Sequence, residues 1–489
     1  MMRLRNLSVG LSALTAPFNL ALAQGVEQLW TTNCINCHGE RGQGGGAGTR
    51  TLLTDELFDA KHDRPFFDAI KGGLADKGMD AFGQTLKDEQ VWGLVVYIRE
   101  LQAREHRARV GSPKAVKGVY TSKHQDFRIE TVVDKGLEVP WAVDFLPDGR
   151  MLVTDRPGPV RIHTTGKPGG KLGEPIEGTP EVRNRGQGGM MEVTVHPDYA
   201  KPGNGWIYLA FSDTDAKGAG MTKVVRGRLK EAGGKVSFVD QQTIFQARPE
   251  HYSGADHHFG SRIVFDPKDS GMLFFSIGER GAQQFAQDVT RPNGKVYRVR
   301  DDGTIPKDNP FVGKAKAYES VWSHGHRNPQ GLVFDLQGRL WDTEHAPRGG
   351  DELNEVKRAA NYGWPTICFG INYSGAPFQT PWQKPKAGEP ELTMPALRWL
   401  PSIAACGLDV VKPGPAGEVF PNWKGDLMAG GLAGQIVERL RVKDGAVVEH
   451  EEIVHGMGRV RDVATGPDGS VYVVLNSPNK VIRLLPASK

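Results

Sequence analysis

From residue 126 onward one short theme keeps returning: an apolar run of three or four residues, a tight turn rich in Pro, Asp and Gly, and a second apolar run. Ala142-Val143-Asp144-Phe145 leads through Pro147-Asp148-Gly149 into Met151-Leu152-Val153, and Val463-Ala464-Thr465 leads through Pro467-Asp468-Gly469 into Val471-Tyr472-Val473-Val474. Comparable pairs begin at Val193, Arg262 and Leu332, and a sixth, beginning at Leu408, has a distended turn before Asp426. Alternating and β-branched runs about such turns are hairpins. Six hairpins over about 364 residues leave ~60 residues per unit, enough for four strands and long loops. That size and repetition predict a mainly β chain folded as a six-bladed β-propeller, in preference to an array of sandwiches. Gly 62 and Pro 32 in 489 residues suit so many turns.

Hydrophobic residues make up 38% and charged residues 24%, which excludes wholesale disorder and a polytopic membrane protein. A net charge of +4 is too small to call for nucleic acid as a partner. At the N-terminus Arg3 and Arg5 precede a weakly apolar run from Leu7 to Ala23, interrupted by Pro17 and Asn19. Ala21-Leu22-Ala23 fits a small-x-small cleavage site, so residues 1–23 are read as a secretory signal peptide cut near Ala23. No integral membrane segment is expected, and the expected location is periplasmic.

Between these regions lies Cys34-Ile-Asn-Cys37-His38. Two thiols two residues apart can add to the two vinyl groups of one porphyrin while the adjacent imidazole binds its iron, so the motif predicts covalent haem c on Cys34 and Cys37 with His38 as proximal ligand. C-x-x-C also occurs in redox dithiols and as half of a zinc site, but no second C-x-x-C follows to complete the latter. Gly39-Glu40-Arg41-Gly42 leads into a glycine-rich loop, Lys77-Gly78-Met79 follows about forty residues on, and Val91, Leu94, Val95, Ile98 and Leu101 then recur at helical spacing. Residues 25–103 thus resemble a class I cytochrome c, a small all-α domain. The resemblance implies Met79 as the distal iron ligand, with both axial positions filled for electron transfer. Residues 104–125 are polar and aperiodic and read as a linker to the propeller, residues 126–489.

The loops between hairpins are too rich in His, Arg, Asn and Gln to be plain turns: Gly186-Gln187-Gly188, Asp256-His257-His258, Gly325-His326-Arg327-Asn328-Pro329-Gln330-Gly331, the stretch from Glu344 to Asn354, Asn361-Tyr362-Gly363-Trp364-Pro365, and Arg459-Val460-Arg461. In a propeller such loops converge on one end of the channel. In these motifs and their order, residues 126–485 resemble the soluble, calcium-dependent quinoprotein aldose dehydrogenases that use pyrroloquinoline quinone (PQQ). The resemblance implies His258 as general base, with the adjacent His257 as the alternative, Gln187 and Arg327 around the quinone with Asn328 beside it, and Arg459 and Arg461 on the cofactor carboxylates. It implies calcium on the main-chain oxygens of Ala346 and Pro347, and a second, structural calcium at Glu352 and Tyr362. The chain departs from the family at His257, where an aspartate is usual though Asp256 is adjacent, at Ala433, where the glucose-active members carry a lysine, and at His345, where a glutamine is usual.

The implied reaction is oxidation of an aldose to a lactone. An imidazole accepts the hydroxyl proton, hydride passes to PQQ, and electrons pass singly to haem and then to an acceptor such as a soluble cytochrome, a copper protein or the respiratory chain. The alternative is a non-catalytic propeller that binds carbohydrate or protein beside an unrelated cytochrome, since propellers host many functions. Cys368 and Cys406 are isolated; either a disulfide or two buried thiols would suit them.

Overall fold

The computed structural model of the chain describes residues 25–46, 49–381, 391–414 and 417–487, and the stretch read as a signal peptide lies outside them. Six four-stranded antiparallel sheets form a six-bladed propeller. Their innermost strands, in blades 1 to 6, are Pro140–Phe145, Met190–Val195, Ile263–Asp266, Pro329–Phe334, Ala405–Val410 and Arg459–Thr465. Each pairs with the next strand in sequence, so every hairpin legible in the sequence is the inner half of a blade. The outer strands carry a weaker signal. Lys235–Phe245 of blade 2, for example, is largely solvent-facing and polar and lacks the apolar run that marks an inner strand. Phe127–Val133 pairs with Lys480–Pro486 as the outermost strand of blade 6, so the two ends of the propeller segment close the ring within one blade.

Blades pack face to face through large side chains such as Tyr208, Phe265, Phe275 and Tyr297, with the last two rings stacked at 4.7 Å. Burying each contributes on the order of 1.5–3 kcal/mol. The channel axis is filled near its centre by Arg262. Its guanidinium lies 2.7 Å from Glu192 and 2.6 Å from Asp462, donates to the Gln330 and Arg461 carbonyls, and sits 4.4 Å from the Trp141 ring. One side chain thereby ties five blades together.

Among the described residues four α-helices precede the propeller: α1 (Val26–Asn33), α2 (Ile35–His38), α3 (Asp63–Gly72) and α4 (Asp88–Val110). Along α4 the expected apolar positions Val91, Leu94, Val95, Ile98 and Leu101 are buried against Val26, Leu29 and Trp30 of α1 and Phe67 and Ile70 of α3. Arg99 of α4 forms a buried pair with Asp63 at 2.7 Å. The helix outruns its apolar stripe, so residues 104–110 of the stretch read as linker are helical. Arg107 and Arg109 complement the dipole of its last turn, Arg107 pairs with Glu452 of the propeller, and Gly111 at φ 73° ends it. The same core continues into Ile367, Phe369 and Ile371 of the propeller. Among the described residues no helix is long and apolar enough to cross a membrane.

Candidate active site at one end of the propeller

Gln187, His258, Arg327 and Arg459 all lie where the chain enters the innermost strand of a blade, so ring geometry alone brings them to one end of the channel. The connection following the second strand of a blade returns to that same end. This places Arg156 (blade 1), Glu279 and Arg280 (blade 3), Ala346 and Pro347 (blade 4) and Ala433 (blade 5) there as well.

His258 is the most constrained of them. It adopts φ 56°, a left-handed conformation costly for a residue with a Cβ, and is buried. Its backbone N–H donates to Gln187 Oε1 at 2.8 Å, and its Nδ1 meets Glu279 Oε1 in a short contact. With Nδ1–H donating to that carboxylate, Nε2 is left as the acceptor. Burial, reinforced by the nearby Arg327 charge, pushes the imidazole far below its ordinary pKa, so it is held neutral. Burial likewise raises Glu279. His257 is exposed, its ring at right angles to His258 at 4.5 Å. Asp256 faces Arg183 at 2.7 Å and Arg185 at 2.9 Å, so it does not take the place of the aspartate that His257 replaces.

Arg327 donates from Nη1 to the His345 carbonyl at 2.6 Å, receives the carboxylate of Glu344 on its backbone N–H, and lies 5.3 Å from the Trp364 ring. The Asn328 side-chain oxygen accepts from Gly260 N–H at 3.1 Å, and the Asn328 carbonyl accepts from His345 N–H at 3.2 Å. Gln187, His258, Arg327, Asn328, His345 and Ala346 therefore form one continuous contact network. Several buried polar atoms around it have no hydrogen-bond partner among the described residues: Arg327 Nε, Asn328 Nδ2, Glu279 Oε2 and Arg156 Nε. Unpartnered buried groups are costly, and their clustering at one mouth marks a place built for a polar ligand. Arg461 feels both Arg156 and Arg459, none of the three forms an ion pair among the described residues, and burial lowers Arg156 and Arg459. Three unneutralised guanidinium groups suit a small polycarboxylate.

Beneath Arg327 lies an acidic knot. Glu344 and Glu352 face each other across adjacent strands of blade 4, where like charges repel. His326 Nδ1 lies 2.9 Å from Glu344 and 3.3 Å from Asp342, and its ring stacks on Tyr362 at 4.5 Å. Burial pushes Asp342 and Glu344 up to about 8 and raises Glu352 well above its ordinary value, helped by the neighbouring Glu344 charge. His326, Asp342 and Glu344 present three ligand atoms within 4.8 Å of one another, a donor set that fits a divalent cation. Tyr362 borders the same small cavity as Glu352, but its hydroxyl is committed to the Glu355 carbonyl at 2.6 Å. Ala346 and Pro347 are buried in the loop above; Ala346 N–H is fixed by Asp351 at 2.9 Å, and its carbonyl accepts from Tyr373 at 3.4 Å. Cys368 and Cys406 are separate buried thiols; Cys368 lines this cavity, and Cys406 contacts Arg461.

In the helical region Cys34 and Met79 both pack on the shared core, and burial keeps His38, whose Nδ1 has no partner, neutral. Burial also pushes the Cys34 thiol up to about 12. A neutral imidazole, a thioether and two unpaired thiols around one apolar cluster fit a haem.

The sequence motifs pick out most of the loop residues, Glu344 among them though without a role, but not Glu279, Arg156 or Asp342. The signal for Glu279 was a charged pair, Glu279-Arg280, closing an apolar strand between two glycines.

Residues 137–483 match the family described as glucose/sorbosone dehydrogenase, and residues 21–98 match that described as cytochrome c oxidase, cbb3-type, subunit III. The aldose sugar dehydrogenase YliI of Escherichia coli K12 is 39% identical over 364 residues, 73% of this chain and 92% of that protein. The apo-form crystal structure of the soluble aldose sugar dehydrogenase from Escherichia coli superimposes with a TM-score of 0.64 at 36% identity, covering 74% of this chain and all of that one. The PQQ-bound aldose sugar dehydrogenase of Streptomyces coelicolor gives a TM-score of 0.57 at 25% identity over 73% of this chain and 98% of that one.

Proposed function

Because the chain belongs to the glucose/sorbosone dehydrogenase family, we propose that it is a PQQ-dependent aldose dehydrogenase that passes its electrons to a haem c of its own helical domain. The observation that carries this reading is the buried contact between the neutral His258 imidazole and Glu279 at the mouth where Arg327, Asn328, Arg156, Arg459 and Arg461 gather. A propeller that only bound carbohydrate would leave that pair without a task.

When bound, PQQ supplies an electrophilic quinone carbon that takes up a hydride. His258 Nε2 accepts the proton of the sugar's anomeric hydroxyl, and Glu279 fixes the ring and balances its charge. Gln187 holds the backbone of His258 in its strained conformation. Arg327 and Asn328 would supply donors to stabilise the negative charge that develops on the quinone. Arg156, Arg459 and Arg461 would hold the cofactor carboxylates. The carbonyls of Ala346 and Pro347 would hold calcium against the cofactor, and Glu352, with Glu344 and Asp342, would hold a second calcium beside Tyr362. Cys34 and Cys37 would carry the haem and His38 and Met79 its iron. The protein is exported to the periplasm, and its external acceptor is a soluble cytochrome, a copper protein or the respiratory chain.

The test is a dye-linked assay on the haem-loaded chain against a panel of aldoses, with PQQ and calcium supplied together and singly. Turnover that requires PQQ, and a melting temperature that falls when calcium is chelated, are expected; no turnover with PQQ demonstrably bound would refute the reading. Met79→Ala should shift the haem spectrum and lower its potential, and a spectrum identical to wild type would remove Met79 from the iron.

A further inference from the structure

The loop that carries Ala346 and Pro347 continues directly into Arg348, which reaches out of the propeller. Its Nε and Nη2 fork onto both oxygens of Glu100 in α4, at 2.7 and 2.6 Å, and Nη2 also meets Glu27 of α1 at 2.6 Å. The backbone of Arg348 is pinned at both ends to Ile371, at 3.0 and 2.9 Å, and Ile371 belongs to the core shared with α4. Gly349 comes so close that a Cβ there would lie 3.2 Å from Val96 of α4. Trp92 of α4 donates to the Phe369 carbonyl at 3.2 Å, and the first amide of α1, Val26 N–H, donates to Gly375 at 3.0 Å. Behind the clasp a series of rings leads inward: Tyr97, which feels the charges of Glu27, Glu100 and Arg348; Trp30, 5.7 Å from it; and His38, 6.1 Å from Trp30.

We infer that Arg348 is a positioning residue for internal electron transfer: gripped by Glu27 and Glu100, it holds the Tyr97–Trp30–His38 face of the haem domain against the cofactor loop. The inference rests on the dehydrogenase reading above. Transfer between separated centres falls steeply with distance, so what the protein contributes is the fixed approach of the two domains. A bidentate guanidinium–carboxylate pair at a partly buried contact supplies both strength and orientation. Each aldose oxidised to lactone yields two electrons and two protons. The single haem takes one electron at a time, ferric to ferrous, and an external one-electron oxidant reoxidises it twice per sugar.

The experiment uses the full-length haem protein and three variants: Glu27→Gln, Glu27→Gln with Glu100→Gln, and Glu100→Asp. In the protein without PQQ, amide hydrogen exchange of α1, α4 and residues 346–350 should rise in the double variant and stay near wild type in Glu100→Asp. With PQQ and calcium bound, rapid mixing with an aldose should show haem reduction slowed roughly 3–30-fold in the double variant, less in Glu27→Gln, and restored in Glu100→Asp. Dye-linked turnover and the haem potential should not move. Haem reduction at the wild-type rate in a double variant whose exchange shows the clasp open overturns the inference. A wild-type protein that reduces dye but not haem overturns it while leaving the dehydrogenase reading intact, and one that reduces neither with any aldose removes both.

Discussion

His258→Ala should lower aldose-driven turnover by about 100- to 10,000-fold while PQQ still binds, because the substitution removes the proton acceptor and leaves the arginines and the Ala346–Pro347 loop in place. The measurement is single-turnover reduction of the dye alongside a titration of PQQ into the apo-protein. His257→Ala is the companion variant. Its imidazole is exposed, and although a ring nitrogen comes within 4.8 Å of Glu279, the short contact with that carboxylate belongs to His258, so its turnover should stay within a few-fold of wild type. A wild-type rate in His258→Ala together with a collapse in His257→Ala would transfer the proton acceptor to the neighbouring ring.

The second large effect is on stability. Arg262→Met would leave Glu192 and Asp462 facing each other at the channel axis with no cation, and breaking a buried pair in this way costs about 3–5 kcal/mol. For a domain of this size that is on the order of 10 °C in melting temperature. Burial already pushes Glu192 up to about 8 and Asp462 up to about 6 with the guanidinium present. Without it both carboxylates would take up protons more readily still. Their folded-state pKa would then lie above the unfolded value, so the variant should be relatively less destabilised at acidic pH and more so as pH rises. Adding Glu192→Gln and Asp462→Asn should recover most of the loss. A melting temperature of Arg262→Met within 2 °C of wild type, against the ~10 °C expected, would show that the five-blade tie contributes little.

How much of this was legible in the sequence differs from element to element, for physical reasons. Inner strands are buried on both faces, so their apolar runs and Pro-Asp-Gly turns stood out, and the hairpins at Ala142 and Val463 mark blades 1 and 6 directly. Outer strands such as Lys235–Phe245 are half solvated, and their polar residues hid them. The end of α4 was misjudged because its last turn is stabilised by charge, through Arg107 and the helix dipole, and not by an apolar stripe. At the site, Gln187, His258, Arg327 and Asn328 could be picked out from their loops, and blade geometry gathers them. Glu279, distant in sequence and bearing an ordinary carboxylate, gains its meaning only when folding buries it against His258. Arg262 shows the converse. It lies in the same motif as His258, yet its fork is spent on joining blades, which spacing alone does not reveal.

The haem itself offers the most direct test of the whole account. The haem-loaded chain, reconstituted with PQQ and calcium and held without oxygen or any external acceptor, is mixed with an aldose that supports dye-linked turnover while the haem absorption is followed. If His258 takes the sugar's hydroxyl proton as the hydride leaves, and the electrons then travel through the clasped domains, the haem turns ferrous on the aldose's addition, and His258→Ala slows the change by about 100- to 10,000-fold. A haem that stays ferric while the same preparation reduces dye would contradict the fused electron path.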